Sequence, residues 1–284
     1  VLSIGDNCLD VYLEQDVYAV GGNALNVAVN WHRAGFASRY RGAVGNDLAA
    51  PLVLDGIAGA GLDTSTTSRR PGRTGVTFLG VHDGDRQLLL EEFGVGLEFG
   101  LTDAEVEEAA RHDWVHVVGT GPEAALVPRL VAAGARVSVD LSTSHHLDDL
   151  PGVEIAFASG AETDLDASDE LAARMLDAGA RHAVVTRGPA GSISRGELGR
   201  HAVAATAAEV VDTCGAGDRY IATFLHRHLR GAPVADAMTA AATDAASTCG
   251  HFGGWRQPLH KIPSWLRREA AAHDLILVDD GDRP

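Results

Sequence analysis

Short apolar runs alternate with segments of helical period along most of this chain, and that alternation limits the folds open to it. Val1–Ile4, Ser38–Val44, Trp114–Val118, Arg136–Leu141, Val153–Ala158 and His182–Thr186 read as strands. Asn23–Ala34 places Ala24, Val27, Ala28 and Trp31 on one helical face and stops at Gly35. Leu48–Ala60 ends at Gly61, Pro122–Ala133 separates two strands, and Glu170–Ala178 ends at Gly179. Ala216–His228, Val234–Cys249 and Ser264–Ala272 complete the helices. Strand and helix in turn predict an α/β fold, a mostly parallel sheet covered by helices on both faces. With 284 residues the chain has room for one large domain or two small ones.

Two stretches break the rhythm. Val11–Val20 alternates apolar and polar residues without helical period. Thr74–His82 and Arg86–Glu92 flank Asp83-Gly84, a hairpin signal. These read as antiparallel strands set apart from the parallel sheet, a small β-flap at about 11–20 and 74–92, with plain edge strands as the alternative. The acidic tail, Asp279–Pro284, is expected to fray.

Charge removes several classes of function. Lys and Arg number 23 against 39 Asp and Glu, a net −16. A field of that sign repels nucleic-acid backbones and anionic lipid, so neither is expected as a partner. The one lysine, Lys261, has no Gly-rich loop before it. That removes the P-loop and the protein-kinase pattern, both of which need a phosphate-contacting lysine. Cys8, Cys214 and Cys249 are far apart and odd in number, which fits a reducing cytoplasm better than a disulfide scaffold. The start, Val1–Asp6, shows no basic region or long apolar run, so no secretory leader is expected, and no stretch is long and apolar enough for a membrane span. Among the 13 histidines, His145-His146 has no third ligand at metal spacing and reads as solvated.

The most specific local signal is Asp212-Thr-Cys-Gly-Ala-Gly-Asp218, opening a long helix. Gly215, Ala216 and Gly217 let a ligand approach the backbone. The first helical turn offers unpaired amides and the positive end of the dipole, which suit a phosphoryl group in transfer. Asp218 at that mouth is placed to accept a proton from an attacking hydroxyl. Gly5–Asp10 follows the first strand, where ligands of open α/β sheets bind, so Asp6 and Asp10 are candidate sugar ligands or plain caps. Gly21-Gly22-Asn23 opens a helix, with Asn26 one turn in, as a candidate substrate segment. Thr186, Gly188 and Gly191 follow a strand and offer backbone for a nucleotide. Glu162 is a candidate holder of a water on magnesium. Gly119-Thr-Gly121-Pro-Glu-Ala124 with Asp140 imitates a dinucleotide fingerprint, which keeps an NAD-linked enzyme as a minor alternative.

Together these segments resemble the ribokinase-like (PfkB) carbohydrate kinases over nearly the whole chain. Gly5–Asp10, Gly21–Asn26, Gly42-Ala-Val-Gly45-Asn-Asp47 and Asp212–Asp218 carry the likeness in the family's order. Within the family, Ile4–Tyr12, Gly21–Val29, Asp83–Arg86, Phe157–Ser159 and Phe252-Gly-Gly-Trp255 are similar to the fructoselysine 6-kinase subgroup. The resemblance implies a single domain over 1–284 and a three-layer core with a β-sheet lid; the exposed flap strands carry unpaired backbone that a second subunit can cover, so a homodimer through that lid is expected. It implies Asp218 as base and the amides around Gly215–Gly217 as anion hole. It also implies Thr186 with Gly188 at ATP, and Gly191 is a further nucleotide candidate; magnesium is the expected metal, and use of a potassium ion is left open by the sequence. The expected acceptor is a sugar or sugar–amine adduct, with Arg86 placed to meet its carboxylate. Other free sugars, nucleosides or an inactive binding protein of the same fold stand as alternatives. Ser159-Gly-Ala-Glu162 keeps only the Glu of the family's N-x-x-E motif. Arg219 and Thr223 replace small residues; Arg219 is expected either beside the phosphates or on the outer helix face.

Overall fold

The computed structural model describes residues 1–82, 85–98, 100–118, 126–142 and 150–275. Asp83-Gly84, Gly119–Ala124, His145-His146 and the tail from 276 onward lie outside the described residues.

Two sheets organise the chain. The large one has nine strands in the order β13-β12-β11-β10-β9-β8-β1-β4-β5. Its members are β1 (Leu2–Ile4), β4 (Arg39–Val44), β5 (Thr67–Arg69), β8 (Val115–Val118), β9 (Val137–Asp140), β10 (Ile155–Ser159), β11 (His182–Thr186), β12 (Ser192–Gly196) and β13 (His201–Val203). Every pair from β5 through β11 is parallel, while β12 and β13 are antiparallel at one edge. The predicted α/β fold is therefore present. β5, β12, β13 and α3 (Asp103–Ala109) add to the expected elements. β5, at three residues, and β12 and β13, at the antiparallel edge, are too short or too polar to leave a periodic trace.

Helices cover both faces. α3, α4 (Leu126–Ala132) and α5 (Leu165–Asp177) pack on the side of Val115, Val117, Val137, Val139, Ala156 and Val185. α1 (Asn23–Arg33), α6 (Ala216–Leu229) and α7 (Val234–Thr248) pack on the opposite side with Phe157 and Val184. Strand alternation produces both cores, because successive side chains point to opposite faces. α5 starts earlier than the apolar period alone places it, because Asp164 accepts the Ala167 amide at 2.8 Å and caps the helix. α2 (Ala49–Gly59) and α8 (Ser264–Ala272) complete the set.

The second sheet runs β14-β3-β2-β6-β7. It comprises β2 (Cys8–Tyr12), β3 (Val17–Gly21), β6 (Gly75–His82), β7 (Asp85–Glu92) and β14 (His260–Lys261). The stretch expected as one strand over 11–20 is two strands that begin at Cys8. The chain reverses at Leu13–Asp16, where the Asp16 amide donates to Leu13 O and Asp16 takes φ 56°. Asp47 ties this sheet to the core. Its carboxylate takes the Thr74 amide at 2.8 Å, the Thr74 hydroxyl at 2.6 Å and the Ala50 amide at 3.1 Å. The Gly42–Asp47 segment thus locks the start of β6 onto the start of α2. No helix among the described residues is long and apolar enough to cross a membrane.

Candidate active site

Asp218 occupies the third position of α6 and is 5% exposed. Asn26, on the first turn of α1, donates Nδ2 to Asp218 Oδ2 at 2.6 Å across 192 residues of sequence. Asn26 Oδ1 has no hydrogen-bond partner and is buried. Gly215 precedes α6 with φ 71°, a left-handed conformation that favours glycine. A side chain at Gly215 would run into Gly254, and one at Gly254 would run into the Asn26 amide. The loop at 253–254 therefore presses the two helix starts together. In front of Gly217 there is open space. The first-turn amides of α6 have no intrahelical partner, and they face a position where negative charge is stabilised.

Asp212 is the hub beneath this mouth, wholly buried. Its Oδ2 accepts the Tyr12 hydroxyl at 2.6 Å and the Gly253 amide at 2.9 Å, and its Oδ1 accepts the Cys214 amide at 2.9 Å. One carboxylate thus joins the second sheet, the 253–254 loop and the turn that opens α6. Burial, with the neighbouring Cys214 thiol and the Asp10 and Asp212 carboxylates, holds the Tyr12 phenol far above its ordinary value, so it stays a donor. Sequence reasoning assigned no role to Tyr12 or Gly254. The Gly253-Gly254 pair was the available signal.

Asp10 is 4% exposed, between two thiols. Cys8 Sγ donates to Oδ1 at 3.2 Å and Cys214 Sγ lies 3.6 Å from Oδ2. Burial and then the charges of Asp10 and Asp6 push the Cys8 thiol well up, which keeps it protonated. A Cβ on Gly21 would overlap the Asp10 carboxylate, so glycine there makes room for it. Asp6 is used differently. Its two oxygens accept the Asn23 amide at 2.8 Å and the Ala24 amide at 2.9 Å, which caps α1. Burial raises its carboxyl, and those two amides pull it back. Of the two readings offered for Asp6, its contacts are those of the cap. Gly22 and Asn23 serve this same helix start, Gly22 with its backbone against Asn7.

The other candidates sit at the ends of β10 and β11. Thr186 Oγ1 donates to Ala158 O at 3.4 Å, and Gly160 N donates to Thr186 O at 2.8 Å. Gly188 opens a short 3-10 turn through Ala190 and Gly191 follows it. Glu162 is exposed and its carboxylate lies beside the Cα of Gly188. Arg187 holds this loop by donating to Ala161 O at 3.1 Å and Glu162 O at 2.9 Å. Thr186 pairs with Ser192, whose hydroxyl lies 2.8 Å from the Tyr220 hydroxyl on α6. One bridge therefore runs from this turn to the helix of Asp218. No group of three or more acidic, His or Cys residues suited to a metal occurs among the described residues.

Arg219 is turned to neither of its expected places. It binds Asp244 on α7 at 2.8 Å and Asn30 on α1 at 3.0 Å, and Thr223 donates to the same Asp244 oxygen at 2.8 Å. The two departures from small residues form one interhelical network. Arg86 pairs with Val81 in the second sheet, and its side chain lies outside the described residues.

Residues 4–118 and 145–260 match the model of the pfkB family of carbohydrate kinases. Fructosamine kinase FrlD of Bacillus subtilis is 33% identical over 264 residues, covering 90% of this chain and 92% of that protein. Fructoselysine 6-kinase of Escherichia coli is 32% identical over 257 residues, covering 89% and 98%. The fold is similar to Arabidopsis thaliana ribokinase solved with ribose and ATP, at a TM-score of 0.75, 18% identity and coverage of 89% and 93%.

Proposed function

This chain belongs to the pfkB family of carbohydrate kinases, and from that premise we propose that it moves the γ-phosphate of ATP to a hydroxyl of a sugar–amine adduct of the fructoselysine type. It is a phosphotransferase acting on a sugar hydroxyl. The observation that carries the reading is the buried Asn26–Asp218 pair at the mouth of α6. Asp218 takes the proton of the attacking hydroxyl, and Asn26 fixes the carboxylate oxygen that does not. Asn26 Oδ1 and Asp10 accept from the other hydroxyls of the sugar. The amides around Gly215–Gly217 stabilise the charge of the transferred phosphoryl group.

The residues fit the expected cofactors. An open first turn behind Gly215 suits a triphosphate, with the Thr186–Gly191 turn beside the nucleotide. Magnesium is held mainly by phosphates and waters in such sites, and the exposed Glu162 suits a water-mediated contact. When bound, the ion neutralises charge on the phosphates. A potassium requirement is proposed on the family likeness alone. The second sheet is proposed as the lid over the sugar and as the dimer surface. Its edge strand β7 exposes Leu88 and Leu89, at 54% and 40%, and unpaired backbone that a second copy can cover. Arg86, on the same strand, is proposed to meet the adduct's carboxylate.

The test is ADP release over fructoselysine, other glycated amino acids, free fructose, ribose and adenosine. Fructoselysine-type adducts should give the highest kcat/KM. A preference for free sugar or nucleoside moves the assignment within the family. Binding of NAD in place of ATP would overturn it.

A further inference from the structure

In a chain of net charge −16, one cleft gathers guanidinium groups. It measures about 230 Å³ and lies between α1, α6, the end of α7 and the segment 251–256. Arg33, Arg219 and Arg256 line it, with Asp244 as its one carboxylate. Asp244 is already shared by Arg219 and Thr223. Arg33 donates to the Arg256 carbonyl at 2.8 Å, and neither Arg33 nor Arg256 has a carboxylate partner among the described residues. Burial and the Arg219 charge hold the Arg33 guanidinium below its ordinary value, as expected of gathered like charges.

A second observation points to a ligand. Asn30 lines the same cleft and is 4% exposed. Its Oδ1 accepts from Arg219 at 3.0 Å, while its Nδ2 is buried with no partner. A buried donor left unpaired is costly and calls for an acceptor. The cleft continues along α6 into a second one of about 160 Å³, lined by Thr223, His226 and Arg227.

We propose that this cleft is a binding site for a phosphate-bearing ligand, separate from the acceptor and nucleotide sites. The phosphate sits on Arg33 and Arg256 above Asn30, whose buried Nδ2 turns outward to meet it on binding, and any organic part extends along α6 towards Arg227. The planar guanidinium fork suits phosphate oxygens, and the volume admits more than a bare ion. Asp10, Asn26 and Asp218 do not line the cleft. Three of these four elements, α1, α6 and the segment 251–256, nevertheless hold the proposed catalytic pair. Asn30 lies one turn beyond Asn26, Arg219 follows Asp218, and Trp255, which lines the cleft, follows Gly254. A ligand here braces the junction that positions Asp218, so it modulates turnover from outside the active site.

The experiment titrates inorganic phosphate into the enzyme saturated with ADP and magnesium, at constant ionic strength against chloride, by calorimetry and thermal shift. Wild type should bind and be stabilised. Arg33→Gln/Arg256→Gln should weaken phosphate by about tenfold to a hundredfold, the scale of lost charged hydrogen bonds. Its ADP affinity and phosphate-free turnover should stay within about twofold, since neither residue touches substrate. Arg256→Gln alone, on an exposed side chain, serves if the double variant fails to fold, and should show a smaller loss. A parallel titration of wild type and double variant with the phosphorylated product separates the sources: product affinity lost in the variant identifies a phosphate ester in the cleft, while product affinity that the variant keeps belongs to the acceptor site and leaves the free ion as the cleft's ligand. Equal phosphate binding by wild type and variants, or none by wild type at the solubility limit, overturns the proposal.

Discussion

The proposed acceptor side and the proposed nucleotide side of this site are built on opposite plans. On the acceptor side Asp10, Asn26, Asp212 and Asp218 are all at most 5% exposed, and their contacts join segments about 200 residues apart. On the nucleotide side the Thr186–Gly191 turn is mostly backbone, and Glu162 and Gly188 are exposed. The difference follows from the chemistry. A proton acceptor must be held to a fraction of an ångström, and a buried carboxylate is tolerated only when its oxygens are satisfied. A nucleotide brings its own charge and its own metal, and backbone amides suffice to receive it. Damage to the acceptor side should therefore spread through the fold, and damage to the nucleotide side should stay local.

The largest break is expected at Asp212. Asp212→Ala strands the Tyr12 hydroxyl and the Gly253 and Cys214 amides inside the protein. Denaturant unfolding should show a loss of about 3–5 kcal/mol, at 1–3 kcal/mol for each unpaired buried group without full additivity. A loss below about 1 kcal/mol would deny Asp212 its role as hub.

Next comes Gly21→Ala, which forces the Asp10 carboxylate aside. Steady-state kinetics should show kcat/KM for the sugar reduced by about a hundredfold, the cost of misplacing a positioning group, with the KM for ATP little changed. A matching rise in both KM values would mean that the two sides are not built separately.

The core beneath both sides gives an intermediate effect. His116 is fully buried between Trp31 and Phe157, and burial pushes its pKa down to about 3. The unfolded chain takes the proton near pH 6.5 and the folded chain does not, so stability falls as pH drops below 6.5. The loss at pH 5 should be about 2 kcal/mol. His116→Gln should make that acid limb shallower in unfolding measured against pH, with buried His182, pushed down to about 4, keeping part of it. An unchanged limb would place the acid sensitivity elsewhere.

The smallest effect belongs to the exposed side. Glu162→Gln should raise the magnesium concentration for half-maximal rate by only a few-fold, under about 1 kcal/mol, because one water-mediated contact is lost. Unfolding and the KM for the sugar should not move. A collapse of kcat to the Asp218 level would show the nucleotide side to be as tightly coupled as the acceptor side.

The same contrast explains what the sequence disclosed. Strand and helix placement was legible because parallel strands buried on both faces leave apolar runs and each helix leaves a stripe. The place of Asp218 at the mouth of α6 was legible because glycines and a helix start sit beside it in the chain. Asp6 offered two readings because a cap and a sugar ligand use the same residue in the same loop; only the Asn23 and Ala24 amides distinguish them. Tyr12, Gly254 and the Cys214 thiol carry no role legible in the sequence, because their partners lie 200 residues or more away and leave no local pattern. Arg219 was undecided for the same reason, with Asp244 and Asn30 on other helices.

The buried Asn26–Asp218 pair is proposed to present the base of a sugar kinase. Single-turnover phosphoryl transfer from ATP to fructoselysine, compared between wild type and Asp218→Asn, tests it most directly. The substitution keeps the shape and removes the proton acceptor. The rate should fall by about 10²–10⁴-fold while ATP affinity stays within a few-fold. An Asn variant that transfers phosphate at near the wild-type rate would contradict the assignment.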